Sequence, residues 1–82
     1  MNKEELKKAL GHEKIDPRYY SLEGLLDRNF DDRFILEKPF TKWFVYYYER
    51  GEKHDIHVFT TEDEACKYLL ETLVRDPLTR IH

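Results

Sequence analysis

Residues 42–60 read KWFVYYYERGEKHDIHVFT, and this stretch decides the fold. Its first half, Lys42 to Glu49, is almost unbroken apolar and aromatic sequence. Arg50-Gly51-Glu52-Lys53 is a charged turn in which the glycine is free to take positive φ. In the second half, Asp55 to Thr60, Ile56 and Val58 alternate with His57 and Phe59. Two strands joined so closely predict an antiparallel hairpin. Side chains along a strand point alternately to the two faces of a sheet. Trp43, Val45 and Tyr47 therefore share one face, and Phe44, Tyr46 and Tyr48 share the other. Both faces are aromatic, and each needs a cover.

Outward from the hairpin, Arg33 to Lys38 (RFILEK) is a further strand, closed by the turn Pro39-Phe40-Thr41. On the other side, TTEDEACKYLLETLV starts a helix. Thr61 and Glu64 have capping-box spacing, and Glu62, Asp63 and Glu64 sit at the positive end of the helix dipole. Ala65, Cys66, Leu69, Leu70 and Leu73 form an apolar stripe at helical period, and Asp76-Pro77 ends the helix. That stripe is expected to rest on Trp43, Val45 and Tyr47.

Near the N-terminus, Asn2 and Glu5 form an N-cap pair for a helix to Leu10, with Leu6, Ala9 and Leu10 on one side and Gly11 as its stop. Asp16-Pro17 breaks any continuation. Arg18 to Leu22 suits a short edge strand, and Glu23 to Asp31 a loop or a single turn. The expected architecture is one α+β domain over residues 1–82. It has a three- to four-stranded antiparallel meander sheet with an N-terminal and a C-terminal helix, in the order α-β-β-β-α.

Composition narrows the function. With 40% hydrophobic and 38% charged residues among 82, the chain is too apolar for disorder and too charged for a membrane protein. No apolar run approaches the roughly 18 residues that span a bilayer. MNKEELKKAL lacks the apolar centre of a signal peptide, and Cys66 has no partner for an intrachain disulfide, so a cytoplasmic protein is expected. The net charge of −3 weighs mildly against nucleic acid and allows a basic partner.

Catalytic and metal chemistry find little support. His54 and His57, three apart on a regular strand, point to opposite faces, and His12 and His82 are isolated, so no metal is expected. Cys66 lies inside its helix, where it suits a small buried hydrophobe, and Ser21 has no glycine-flanked elbow. The three glycines are isolated and cradle no phosphate. A protein without enzymatic activity or cofactor is expected. Phe44, Tyr46 and Tyr48 then either seat the first helix or form a tyrosine-rich strip for a protein partner. Glu49, Glu52, Asp55, Glu62 and Asp63, with Glu37 and Glu64 nearby, would suit a basic one.

WFVYYYERG, followed by FTTEDEACKYLL, resembles small bacterial immunity proteins found beside polymorphic or contact-dependent-inhibition toxins. Those carry a W-x-V-Y-Y-x-E-R-G strand and turn, then an acidic-capped helix F-[ST]-[ST]-E-[DE]-E-A-C-x-[YF]-[LF]-L. The match runs from Trp43 to Leu73, and Tyr48 stands where a small polar residue is usual. The resemblance implies a cytoplasmic antitoxin that binds the C-terminal domain of a cognate toxin, often a nuclease, and blocks it stoichiometrically. Two alternatives stay open. The α-β-β-β-α order is also that of double-stranded RNA-binding domains, although Thr61-Glu62-Asp63-Glu64 stands where those place phosphate-gripping lysines. A homodimer could also hide the aromatic face or an edge strand.

Overall fold

The computed structural model describes residues 1–25 and 32–79. Among these the elements run α1 (Lys3–His12), β1 (Tyr20–Ser21), β2 (Arg33–Glu37), β3 (Trp43–Glu49), β4 (Glu52–Phe59) and α2 (Glu62–Arg75). Short 3-10 turns lie at Pro17–Tyr19 and Pro77–Thr79. The fold is α+β, with four strands between two helices. Of the expected loop at Glu23 to Asp31, residues 26–31 lie outside the described residues, as does His82.

Helix α1 starts as its sequence predicts. The Asn2 side chain accepts the Glu5 N–H at 2.9 Å, and the Glu5 carboxylate accepts the Asn2 N–H at 3.1 Å. It does not stop at Gly11. The chain turns at Lys14 (φ 58°), and the Ile15 N–H donates back to the Leu10 carbonyl at 2.9 Å. This is the Schellman closure, with lysine in the left-handed position that glycine usually fills. Ile15 and Leu10 bury together in the core, the apolar contact that accompanies this motif.

The strands lie in the order β1-β2-β3-β4. β2, β3 and β4 form the expected antiparallel meander. The two-residue β1 instead runs parallel to β2, Tyr20 beside Phe34 and Ser21 beside Ile35. The long stretch 22–32 joins these two strands, so no tight turn imposes an antiparallel direction. Between β3 and β4 the turn is only Arg50 (φ 51°) and Gly51 (φ 76°), with Glu49 and Glu52 paired across it. Two consecutive positive φ values are those of a type I′ turn, whose twist matches a hairpin. β4 therefore begins three residues earlier than the Asp55 start that the sequence suggested.

Both helices pack on one face of the sheet. Leu6, Leu10 and Ile15 meet Ala65, Cys66, Leu69 and Leu73 of α2, over Leu36 and Val45 of the sheet. Trp43 and Phe34 border this cluster, and Tyr68 of α2 stacks on His57 and Phe59 with ring centroids at 4.6 and 5.3 Å. Trp43 and Val45 thus anchor the leucine stripe as expected. Tyr47 packs on Phe34 at 5.0 Å. Thr79 ties down the C-terminal turn: its hydroxyl donates to the Leu73 carbonyl at 2.6 Å, and its carbonyl accepts the Asp16 N–H.

Leu69 is fully buried at the centre of this core. Leu69→Ala is expected to lower unfolding free energy by about 2–5 kcal/mol, through lost transfer energy and the cavity left behind. Urea denaturation checks this, and a loss below about 1 kcal/mol would mean that α2 is docked loosely.

Candidate interaction surface

Because α1 lies beside α2, neither helix covers the opposite face of the sheet. Pairing puts Ile35 and Glu37 of β2, Phe44, Tyr46 and Tyr48 of β3, and Lys53 and Val58 of β4 on this open face. The open face closes part of itself. Ile35, Tyr46 and Tyr48 form a second buried cluster, with Phe44 half-buried at its margin. Tyr46 is 2% exposed and Tyr48 6%. Lys53 spans the Tyr46 ring, its Nζ 5.0 Å from the centroid and 3.8 Å from a Glu37 carboxylate oxygen.

This corrects the expectation for the second aromatic row. It is neither the seat of the first helix nor an exposed tyrosine strip. Tyr46 and Tyr48 are packed inside, and of the three only Phe44 reaches the surface appreciably.

What the face does expose comes from β4. Val45 pairs with His57 and Tyr47 with His54, so two residues of β3 span three of β4. The extra residue is a β-bulge at Asp55, which takes φ 51°. The bulge overturns the period-2 argument about the histidines. His54 and His57 pair with Tyr47 and Val45, which share a face, so both lie on the helix side. His57 is stacked on Tyr68, and His54 stands 4.0 Å from a Glu52 carboxylate oxygen. Among the described residues no three histidine, cysteine or acidic side chains converge.

Ile56 and Val58 remain 52% and 50% exposed. Ile56, Phe44, Tyr46, Pro39, Glu37 and Lys53 line a cavity of about 130 Å³. Next to Pro39, Phe40 in the β2–β3 turn is 86% exposed. Sequence reasoning did not assign Ile56, Val58 and Phe40 to the surface. In a strand, alternating aliphatics ordinarily mark the core side, and only the helix side being filled by His57 and Phe59 reverses this. A larger, shallower groove of about 620 Å³ runs between the helices, with Ala9, Leu70 and Val74 below Lys8, His12, Glu13 and Glu71. Its rim mixes both charge signs and selects no partner chemistry.

The expected acidic residues divide into two groups at opposite ends of β4. Glu49 and Glu52 sit side by side at the hairpin, near the exposed Asp55. Glu62 and Asp63 open α2 and are engaged internally. A Glu62 carboxylate oxygen accepts the Lys3 N–H at 3.0 Å. Asp63 binds the amino group of Met1, and Lys67 at 3.0 Å. Hydrogen bonds from that amino group and from Lys67 hold the Asp63 carboxyl below its ordinary value. Among the described residues the hairpin acids Glu49 and Glu52 carry no such contact to the N-terminal segment.

Comparison with known protein families, with characterised proteins and with solved structures finds no match for this chain.

Two titratable groups in the buried clusters give tests. Among the described residues the Tyr46 hydroxyl is buried with no partner in good hydrogen-bond geometry, and loss of solvent, then the approach of the Glu37 carboxylate, raises its pKa far above the ordinary value. An unsatisfied buried hydroxyl contributes nothing that a hydrogen atom would not. Tyr46→Phe should therefore leave stability within about 1 kcal/mol of wild type or raise it. Tyr46→Ala should cost about 3–5 kcal/mol. Denaturant titration separates the two, and a large loss in the phenylalanine variant would reveal a partner for the hydroxyl.

Cys66 is fully buried, and burial, then the Glu62 charge, pushes its thiol from 9.0 up to about 11. The unfolded chain ionises first, so this contribution to stability is intact below pH 9.0 and is lost as pH rises towards 11. A Cys66→Ala variant should lack that part of the alkaline fall in urea midpoint. Identical slopes in the two proteins would refute the assignment.

Proposed function

We propose that this chain is a non-enzymatic binding protein that neutralises a partner protein by stoichiometric contact, as an immunity protein does for its cognate toxin domain. The contact runs through the open face of the sheet. The observation that carries this is the half-exposed pair Ile56 and Val58, set beside Phe44 on a face that neither helix covers. Contiguous exposed apolar residues rimmed by charge mark protein-binding surfaces. The cavity between Phe44, Ile56 and Pro39 has room for one side chain of the partner.

Glu49 and Glu52, paired on the helix side of the hairpin end, and Asp55 in the bulge make that end of the sheet negative and favour a basic partner such as the nuclease domains that the resemblance implies. Steering by such acids raises the association rate, while the apolar centre sets the dissociation rate. In this proposal the protein acts in the cytoplasm of the cell that makes the toxin, and no nucleic acid, cofactor or metal takes part. Among the described residues no helix is long and apolar enough to cross a membrane. Duplex RNA suits the surface poorly, because α2 opens on Glu62, Asp63 and Glu64.

The test is calorimetry against the toxin domain encoded beside this chain. A one-to-one complex is expected. Ile56→Asp should weaken it at least about tenfold, a change of about 1.4 kcal/mol, without lowering the melting temperature. Joint Glu49→Gln and Glu52→Gln substitution should slow association and flatten its salt dependence. Absence of any complex would end the proposal.

A further inference from the structure

Among the described residues the sheet has two very different edges. One is β1, two residues long. The other is β4, with eight residues, all exposed except the half-buried Phe59. An edge strand offers unpaired backbone N–H and C=O groups to any other strand, and proteins usually blunt it by shortness, charge or a bulge. β1 is blunted by its length. β4 is blunted only in its first half, where Lys53, His54 and the Asp55 bulge stand. From Ile56 to Thr61 the chain reads IHVFTT, six residues without formal charge, proline or glycine, four of them β-branched. Exposed segments of this kind pair with copies of themselves.

We propose that β4 pairs antiparallel with β4 of a second copy of this chain, about a two-fold axis through His57. This register sets Ile56 opposite Val58 of the second copy on the open face, and the reciprocal pair forms across the axis. No like charges meet within the paired segment, and the bulge at Asp55 marks its end. The axis is perpendicular to the sheet, so both helix pairs stay on one side and both open faces on the other. The eight-stranded sheet that results has only the two-residue β1 strands at its edges. A closed dimer thus removes the one long edge that would otherwise recruit further copies.

Pairing over about five residues per copy buries less than about 1,200 Å² in total, at the low end for specific interfaces. The dimer is accordingly weak, with Kd on the order of 10–100 μM. It needs no other protein, so it stands or falls apart from the inhibitor proposal.

Sedimentation equilibrium of the full chain from about 5 to about 500 μM reads this directly, and a monomer–dimer equilibrium is expected across that span. Val58→Lys should raise Kd about tenfold or more, because two lysines would enter the apolar pairing. Leu78→Lys, at a 71% exposed position in the C-terminal turn, should leave Kd unchanged. His57→Cys should give a disulfide-linked dimer on mild oxidation, since self-opposed residues in an antiparallel pair have Cα atoms about 4.5–5.5 Å apart. Cys66, fully buried, does not compete. Cross-linking carries the test even if Val58→Lys fails to fold. A monomer throughout the range would overturn the proposal. So would a dimer indifferent to Val58→Lys in a folded variant, or one whose His57→Cys form does not cross-link.

Discussion

One apolar core must serve both helices, and the rest of the structure follows from that. Helix α1 brings Leu6 and Leu10, with Ile15 just beyond its end. Three side chains cannot cover a sheet face alone, but beside Ala65, Cys66, Leu69 and Leu73 they complete a core that α2 would leave open. The free energy of burial scales with apolar area removed from water, so α1 gains more beside α2 than alone on the far side. The far side then has to close with its own side chains. Tyr46 and Tyr48 do this with Ile35, and the stem of Lys53 shields the Tyr46 ring while its ammonium reaches Glu37.

The β-bulge at Asp55 makes that closure possible. In a regular strand Lys53 and Ile56 would point to opposite faces. The extra residue brings both to the face of Tyr46, where they line one cavity with Phe44 and Pro39. It also carries His54 to the helix side with His57. A non-glycine residue in the left-handed region is uncommon, and aspartate is among those that tolerate it. Its position beside the exposed aliphatics links a local backbone feature to the surface on which the proposed function depends.

The elements themselves were legible in the sequence because each carries its own local signal. The period of Ala65, Cys66, Leu69 and Leu73 places α2, the Asn2–Glu5 pair starts α1, and Arg50-Gly51 makes the hairpin. What was not legible depends on contacts between distant segments. Lys14 and Asp55 take left-handed φ without glycine to announce it, and only the pairing of Val45 with His57 and Tyr47 with His54 locates the bulge. The parallel direction of β1 arises across a long connection with no turn signal. The burial of Tyr46 and Tyr48 could not be read from alternation, which assigns a face but does not say what lies over it. For Ile56 and Val58 alternation likewise gave two faces without saying which one is covered, and the helix side is filled by His57 and Phe59.

The acids show why residue type alone does not define a surface. Glu62 and Asp63 look like part of a negative patch in the sequence, yet one holds the Lys3 backbone and the other holds the Met1 amino group and Lys67. The Asp63 charge is matched where it stands and the Glu62 carboxylate is tied to the Lys3 N–H, and a partner would have to break those contacts to use them. Glu49, Glu52 and Asp55 have no such structural duty of comparable reach. They lie around a turn and a bulge whose backbone is fixed by hairpin pairing, so their charges are held in place with little further ordering on association. In the proposed complex this negative end of the sheet steers a basic partner from a distance, although Glu49 and Glu52 lie on the helix side and not on the open face. In that proposal electrostatics governs encounter, while Ile56, Val58 and Phe44 govern how long the complex lasts.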